Sequence, residues 1–249
     1  MRVGVWMPLY GRPLVLRAAL ESFKAMRIRW RNMGIELELC VGWSLPDDLT
    51  QVVNHYGYPY ASVFAENDPL SYKQEAILDI MRDRFDYYLQ IGSDDVFIEE
   101  ADIYYEEALT RGVQYVGCRS VYFIEPSTQR AVSTAMTHAS VNSVFGAGRL
   151  WSAEAMDKVL ENGFIWPKAM NNQLDLLSEK QFKAAGVCME TFEEERPFIV
   201  DIKSETNIWK FKKYQNERAE DYKEIVGRMD KGARAAVNLL HEVSAGANS

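Results

Sequence analysis

Apolar residues follow two rhythms along the chain. Short runs at residues 3–7, 37–41 and 87–91 are almost wholly hydrophobic, as strands covered on both faces are. Between them, residues 14–33, 45–56 and 71–84 repeat apolar positions at helical spacing. Strand and helix in alternation predict an α/β fold with a mostly parallel sheet flanked by helices. Ser44 with Asp47, and Ser71 with Gln74, fit the capping-box pattern at two helix starts, and Pro46 falls in a first turn where its missing N–H costs little.

Beyond Ile98 the pattern predicts a helix over 99–111 and a strand over 114–118. The runs 122–124 and 131–134 flank the turn signal Pro126-Ser127 and predict a hairpin. Helices are expected at 152–161 and 172–185, a late strand at 198–202, and helical periodicity from 217 to 243 before a small, polar ending. The organisation expected is one domain over 1–215 with a C-terminal helical extension over 216–249.

Composition narrows the classes. The chain has 249 residues, enough for one sizeable core, and its formal net charge of -8 argues against general electrostatic capture of nucleic acid or anionic membrane. The apolar opening at 3–9 contains Pro8, is too short for a secretory signal, and reads as a buried strand. No run is long enough to span a bilayer. Cys40, Cys118 and Cys188 are far apart and in no metal-ligand spacing, so reduced thiols and a cytoplasmic setting are expected.

Chemistry concentrates where the third apolar run ends, at Gly92-Ser93-Asp94-Asp95-Val96-Phe97. In open α/β sheets ligands gather beyond the carboxyl ends of strands. Adjacent carboxylates there repel unless a proton or a cation intervenes, and a hard divalent ion shared with a diphosphate meets that need. The plainer reading is that one Asp caps the following helix and the other is solvated.

This segment resembles the variant DXD motif of the GT-A glycosyltransferases, particularly family 2, and the resemblance runs in order over most of the first two hundred residues. It implies a GT-A (Rossmann-like) fold and a hexosyltransferase-like enzyme moving a sugar from a nucleotide-diphosphate sugar, a UDP-sugar first among them, to an acceptor hydroxyl with inversion. By the resemblance Asp95 binds Mn2+ or Mg2+ and Asp94 lies near the donor ribose. Gly92 departs from members that carry a further Asp there. Pro8, Tyr10 and Arg12 match the loop beside base and ribose. Trp43 stands where the family has a base-reading Asp and offers a stacking face instead.

Lys73 is expected in a first helical turn, where the macrodipole disfavours a cation and a neighbouring donor phosphate removes the conflict; a solvated lysine is the plainer reading. Gly146 and Gly148 resemble the acceptor loop, with Trp151 either stacking on a sugar or buried in the core. Asp175 matches the place of the catalytic base, and equally suits a helix first turn. Lys203 is expected at the diphosphate and Trp209 at the acceptor cleft. Cations and aromatics interleave over 209–214, which keeps a nucleic-acid acceptor open beside saccharide and protein, although such a stretch is more often an amphipathic edge. His138 is the one histidine near a site segment. A homodimer is compatible with the sequence, and a non-catalytic nucleotide- or carbohydrate-binding module of the same fold is the alternative to an enzyme.

Overall fold

The computed structural model describes residues 1–136, 144–166, 169–171, 173–204, 210–214 and 216–246. Strand β1 (Arg2–Pro8) leads into α1 (Pro13–Asn32), which opens on a proline at a position whose N–H has no helical partner anyway. The alternation continues through β2 (Glu36–Trp43), α2 (Pro46–His55), β3 (Ala61–Phe64), α3 (Leu70–Met81) and β4 (Tyr87–Gln90). β1 pairs in parallel with both β2 and β4, and β2 pairs in parallel with β3.

The second half adds β5 (Asp95–Phe97), α4 (Ala101–Arg111), β6 (Tyr115–Gly117), the hairpin β7 (Ser120–Glu125) and β8 (Arg130–Ala135), β9 (Arg149–Ser152), α5 (Ala153–Glu161), α6 (Leu174–Ala184), β10 (Met189–Thr191) and β11 (Ile199–Ile202). A 3-10 turn at Phe211–Tyr214, β12 (Arg218–Glu220), α7 (Tyr222–Gly227) and α8 (Lys231–Gly246) complete the chain. Two mixed sheets result, ordered β10-β6-β9-β4-β1-β2-β3 and β12-β8-β7-β11-β5.

Residues alternate between two cores across the first sheet. Val3, Val5 and Met7 pack with Leu16, Phe23 and Trp30 of α1, while Trp6 faces the opposite way, towards Ile77 and Leu78 of α3. The C-terminal segment is part of the same body. β12 pairs with β8, and Ala233, Ala236 and Val237 of α8 share a core with Val15 and Ala18 of α1. Arg29 of α1 ties the two ends together, bonding to Asp102 on α4 and, at 2.6 Å, to Asp230 just before α8.

Two helix starts differ from expectation. Leu45 occupies the cap of α2, and Asp48, buried in the first turn, accepts from the Leu45 N–H and from Gly11 N at 2.8 Å. That carboxylate joins two loops, which a solvent-facing capping box would not do. α3 begins after Pro69, so Ser71 is inside the helix and its Oγ accepts from Met170 N. The N-terminus of α3 is closed instead by Asn171 Oδ1, which accepts from Leu70 N at 2.7 Å.

Candidate functional site

β1, β2 and β4 run in parallel, so their carboxyl ends, with Pro8, Trp43 and the Gly92–Asp95 turn, share one edge of the sheet. β9 is antiparallel to β4 with Arg149 opposite Gln90, which brings the loop before Arg149 to that edge as well. The second sheet contributes from the other side, because β11 runs antiparallel to β5 with Asp201 opposite Asp95. One edge therefore gathers segments scattered from residue 8 to residue 203.

Neither Asp94 nor Asp95 caps a helix; α4 starts at Ala101 behind Glu100. Asp94 Oδ2 accepts from Arg12 Nη1 at 2.7 Å, while Arg12 Nη2 donates to Ser93 Oγ at 2.8 Å. The guanidinium thus locks the β1 loop to the acidic turn. Burial opposes its charge, yet the facing carboxylates of Asp94, Asp201 and Asp95 hold its pKa above the ordinary value. Asp95 is buried, and its Oδ2 accepts from Gly92 N at 2.7 Å. A Cβ on Gly92 would lie 2.7 Å from Asp94 Oδ1 and 2.8 Å from Asp95 Oδ2. A side chain at residue 92 would therefore have to displace the carboxylates of Asp94 and Asp95.

Asp201 was legible in the sequence only as part of a strand, and it completes the group. Carboxylates directly opposite one another on paired strands destabilise the sheet unless neutralised. Burial, then Asp201, then Asp94, push Asp95 well above the usual carboxylate range. Burial raises Asp201 to about 6, against the opposing pull of Lys203. Lys203 is buried beside it and bonds to Asp201 Oδ2. Its Nζ also stands 4.6 Å from the Phe123 ring, and Tyr214 stacks on Phe123 at 3.9 Å. Burial disfavours the ammonium, but Asp201 and Asp94 outweigh it and raise the pKa.

The residues present fit a hard cation. Asp201 Oδ1 is buried without a hydrogen-bond partner among the described residues. No three carboxylates, thiols or imidazoles among the described residues close into a metal-ligand group. Two carboxylates, with phosphate and water oxygens completing the shell, are what Mg2+ at a diphosphate takes.

Lys73 does not present a free ammonium at a helix start. It is fully buried and donates to Leu9 O at 2.6 Å and Asn67 Oδ1 at 2.9 Å, with the half-exposed Tyr10 ring 5.5 Å from Nζ. Burial lowers its pKa to about 8. The ammonium holds the loop that carries Tyr10 rather than reaching outward. Trp43 is half-buried at the end of β2 and meets Phe64 edge-on at 5.2 Å, two aromatic rings at adjacent strand ends.

The acceptor side divides. Trp151 is wholly buried, edge-on to Trp6 at 5.8 Å and packed on Phe182 at 5.0 Å, so it offers no face to a sugar; the core reading is correct and the stacking role is withdrawn. Gly148 is buried too: its φ is +72°, its carbonyl accepts from Tyr105 Oη at 2.7 Å, and a Cβ would strike Ile199. It serves the turn into β9 and not a ligand. Gly146 is half-exposed and lies against Asp175, whose carboxyl carbon would be 2.2 Å from an added Cβ. Asp175 is exposed in the first turn of α6. His138 and Trp209 lie outside the described residues.

Arrayed this way, the two sheets and their shared edge form the GT-A fold, the architecture of a class of glycosyltransferases. The chain superposes on residues 1–349 of S. aureus TarS with a TM-score of 0.55 at 11% identity, covering 100% of this chain and 73% of that one. Against a longer S. aureus TarS structure the TM-score is 0.50 at 12% identity, covering 91% of this chain and 38% of that one. No protein-family model and no curated protein matches the sequence. No helix among the described residues is long and apolar enough to cross a membrane.

Proposed function

We propose that the chain is a glycosyltransferase that moves a hexose from a nucleotide-diphosphate sugar, a UDP-sugar in the first instance, to an acceptor hydroxyl. The observation that carries this reading is the facing pair Asp95 and Asp201, flanked by Arg12 and Lys203 at the ligand edge of a GT-A fold. Three carboxylates and two fixed cations gathered at one edge support a reading in which a polyanion binds there together with a metal.

In this reading Asp95 and Asp201 would hold Mn2+ or Mg2+, which would supply charge neutralisation for a nucleoside diphosphate leaving group. Lys203, fixed by Asp201 and the Phe123 ring, adds a second positive charge at the diphosphate. Arg12 keeps Asp94 in place beside the ribose, and Tyr10 with Trp43 provide aromatic faces for the base. Asp175 takes the proton from the attacking hydroxyl, acting as general base, and attack from the face opposite the diphosphate inverts the anomeric carbon. Gly146 leaves the acceptor a close approach to the backbone.

The test is release of nucleoside diphosphate from UDP-glucose, UDP-N-acetylglucosamine and GDP-mannose with added Mn2+, water serving as acceptor. Release that disappears in Asp95→Asn supports the reading. Binding of these donors without release, under every metal condition, would instead identify a non-catalytic binding module.

A further inference from the structure

Arg149 lies at the edge where the site is, almost wholly buried at 1% exposure. Its guanidinium is spent on four acceptors. Nε donates to Phe145 O at 2.8 Å, Nη2 to Val144 O at 2.9 Å, and Nη1 to Asp175 O at 2.8 Å and Ser178 Oγ at 2.9 Å. Glu179 stands 3.9 Å away and balances the charge. The planar fork of an arginine is suited to this; a lysine ammonium is a point charge that cannot reach two loops at once.

What those bonds join is specific. Val144 and Phe145 begin the loop that leads through Gly146 to β9, and Asp175 opens α6. The guanidinium clamps one to the other, and Gly146 then lies so close to the Asp175 carboxylate that an added Cβ would displace it. The backbone angles of Gly146 are ones any residue adopts, so what a side chain there would disturb is the Asp175 carboxylate. The carboxylate lies over Gly146 on one side, in a residue that is otherwise exposed.

We infer that Arg149, acting through Gly146, is the positioning residue that sets the direction in which the Asp175 carboxylate meets an acceptor hydroxyl. This rests on the reading of Asp175 as the base. It assigns Arg149 no contact with substrate: the residue sets geometry, and a general base displaced by about 1 Å loses on the order of 100-fold in rate.

The experiment measures UDP release from UDP-glucose and UDP-N-acetylglucosamine by wild type, Asp175→Asn, Gly146→Ala, Arg149→Lys and the double variant Gly146→Ala/Asp175→Asn, with thermal midpoints and UDP affinity for each. An added methyl at residue 146 meets the free end of a flexible side chain, so Gly146→Ala is expected to fold with an unchanged midpoint while pushing the carboxylate aside. Its kcat is expected to fall 10- to 100-fold with KM for the donor and UDP affinity unchanged, and it is expected to cost nothing further in the Asp175→Asn background. Arg149→Lys is expected to show the same split between kcat and KM. Wild-type kcat in Gly146→Ala, or losses that multiply in the double variant, would overturn the positioning role. Full turnover by Asp175→Asn would instead remove the base itself, and absence of release by the wild type would sink the transfer reading on which both depend.

Discussion

Asp95 on β5 and Asp201 on β11 occupy directly opposed positions in an antiparallel pair, so their side chains leave the second sheet on the same face. Such a pairing of like charges weakens a sheet. Arg12 and Lys203 offset part of the repulsion through Asp94 and Asp201, and the burial of Asp95 keeps the remainder costly. In the proposed reading, a bound cation would offset what remains of that repulsion.

Removing one of the two charges should therefore stabilise the protein while disabling it. Asp95→Asn retains an oxygen to accept from Gly92 N and deletes the charge facing Asp201. Without divalent metal, its unfolding free energy should exceed that of the wild type by about 1 kcal/mol, within the range of single stabilising changes at functional sites. Added Mn2+ should raise the wild-type midpoint and leave the variant unmoved. Urea unfolding with and without chelator reads both effects, and a variant less stable than wild type in chelator would contradict the account.

Arg12 connects the β1 loop to the acidic turn through a charge-assisted fork. Arg12→Gln should weaken UDP binding by on the order of 10-fold and lower stability by about 1–3 kcal/mol, the range for bonds to a charged group. Calorimetric titration and urea unfolding check the two figures independently. Unchanged UDP affinity would separate Arg12 from the nucleotide.

Lys73 gives a pH signature. Burial brings its folded-state pKa down to about 8, against an ordinary 10.5. The folded protein thus carries a penalty for the charged amine that is full below pH 8 and is relieved as pH rises from about 8 to about 10.5, where the unfolded chain also loses its proton. Wild type should gain stability relative to Lys73→Met across that window. At neutral pH the variant should be less stable by about 1–3 kcal/mol, because the Leu9 carbonyl and Asn67 lose their donor inside the protein. A difference between the two proteins that is flat in pH would refute the burial argument.

Trp151→Ala should lower stability by about 3–5 kcal/mol, the cost of emptying a large buried aromatic site, since Trp6, Tyr115 and Phe182 close around it. A loss of that size in urea unfolding is expected. A near-neutral change there, with weakened acceptor use, would restore the ring to the binding site.

The parallel half of the fold was legible because β1, β2 and β4 are buried on both faces and the helices between them carry helical periodicity. β3 was not: it is an edge strand with half its residues exposed, and Tyr58 and Tyr60 before it are exposed as well. β5, β9 and β10 have three or four residues each, too short for a period to show. Asp94 and Asp95 stood out in sequence because two acids end an apolar run. Asp201 did not, since an Asp in a strand has no meaning until pairing brings it opposite another. The burial of Lys73 was missed and the two readings of Trp151 stayed open for one reason: residue type and local position do not reveal whether a side chain turns inward, and both are fully buried.

The central claim, that Asp95 and Asp201 together grip a cation bridging a diphosphate, is tested most directly by calorimetric titration of inorganic pyrophosphate and of UDP into wild type and Asp201→Asn, each with Mn2+ or with chelator. Both ligands should bind the wild type only with Mn2+, and Asp201→Asn should lose at least about 10-fold in affinity for each, the effect of more than 1.4 kcal/mol. Equal binding in chelator and in Mn2+, unaffected by Asp201→Asn, would contradict it.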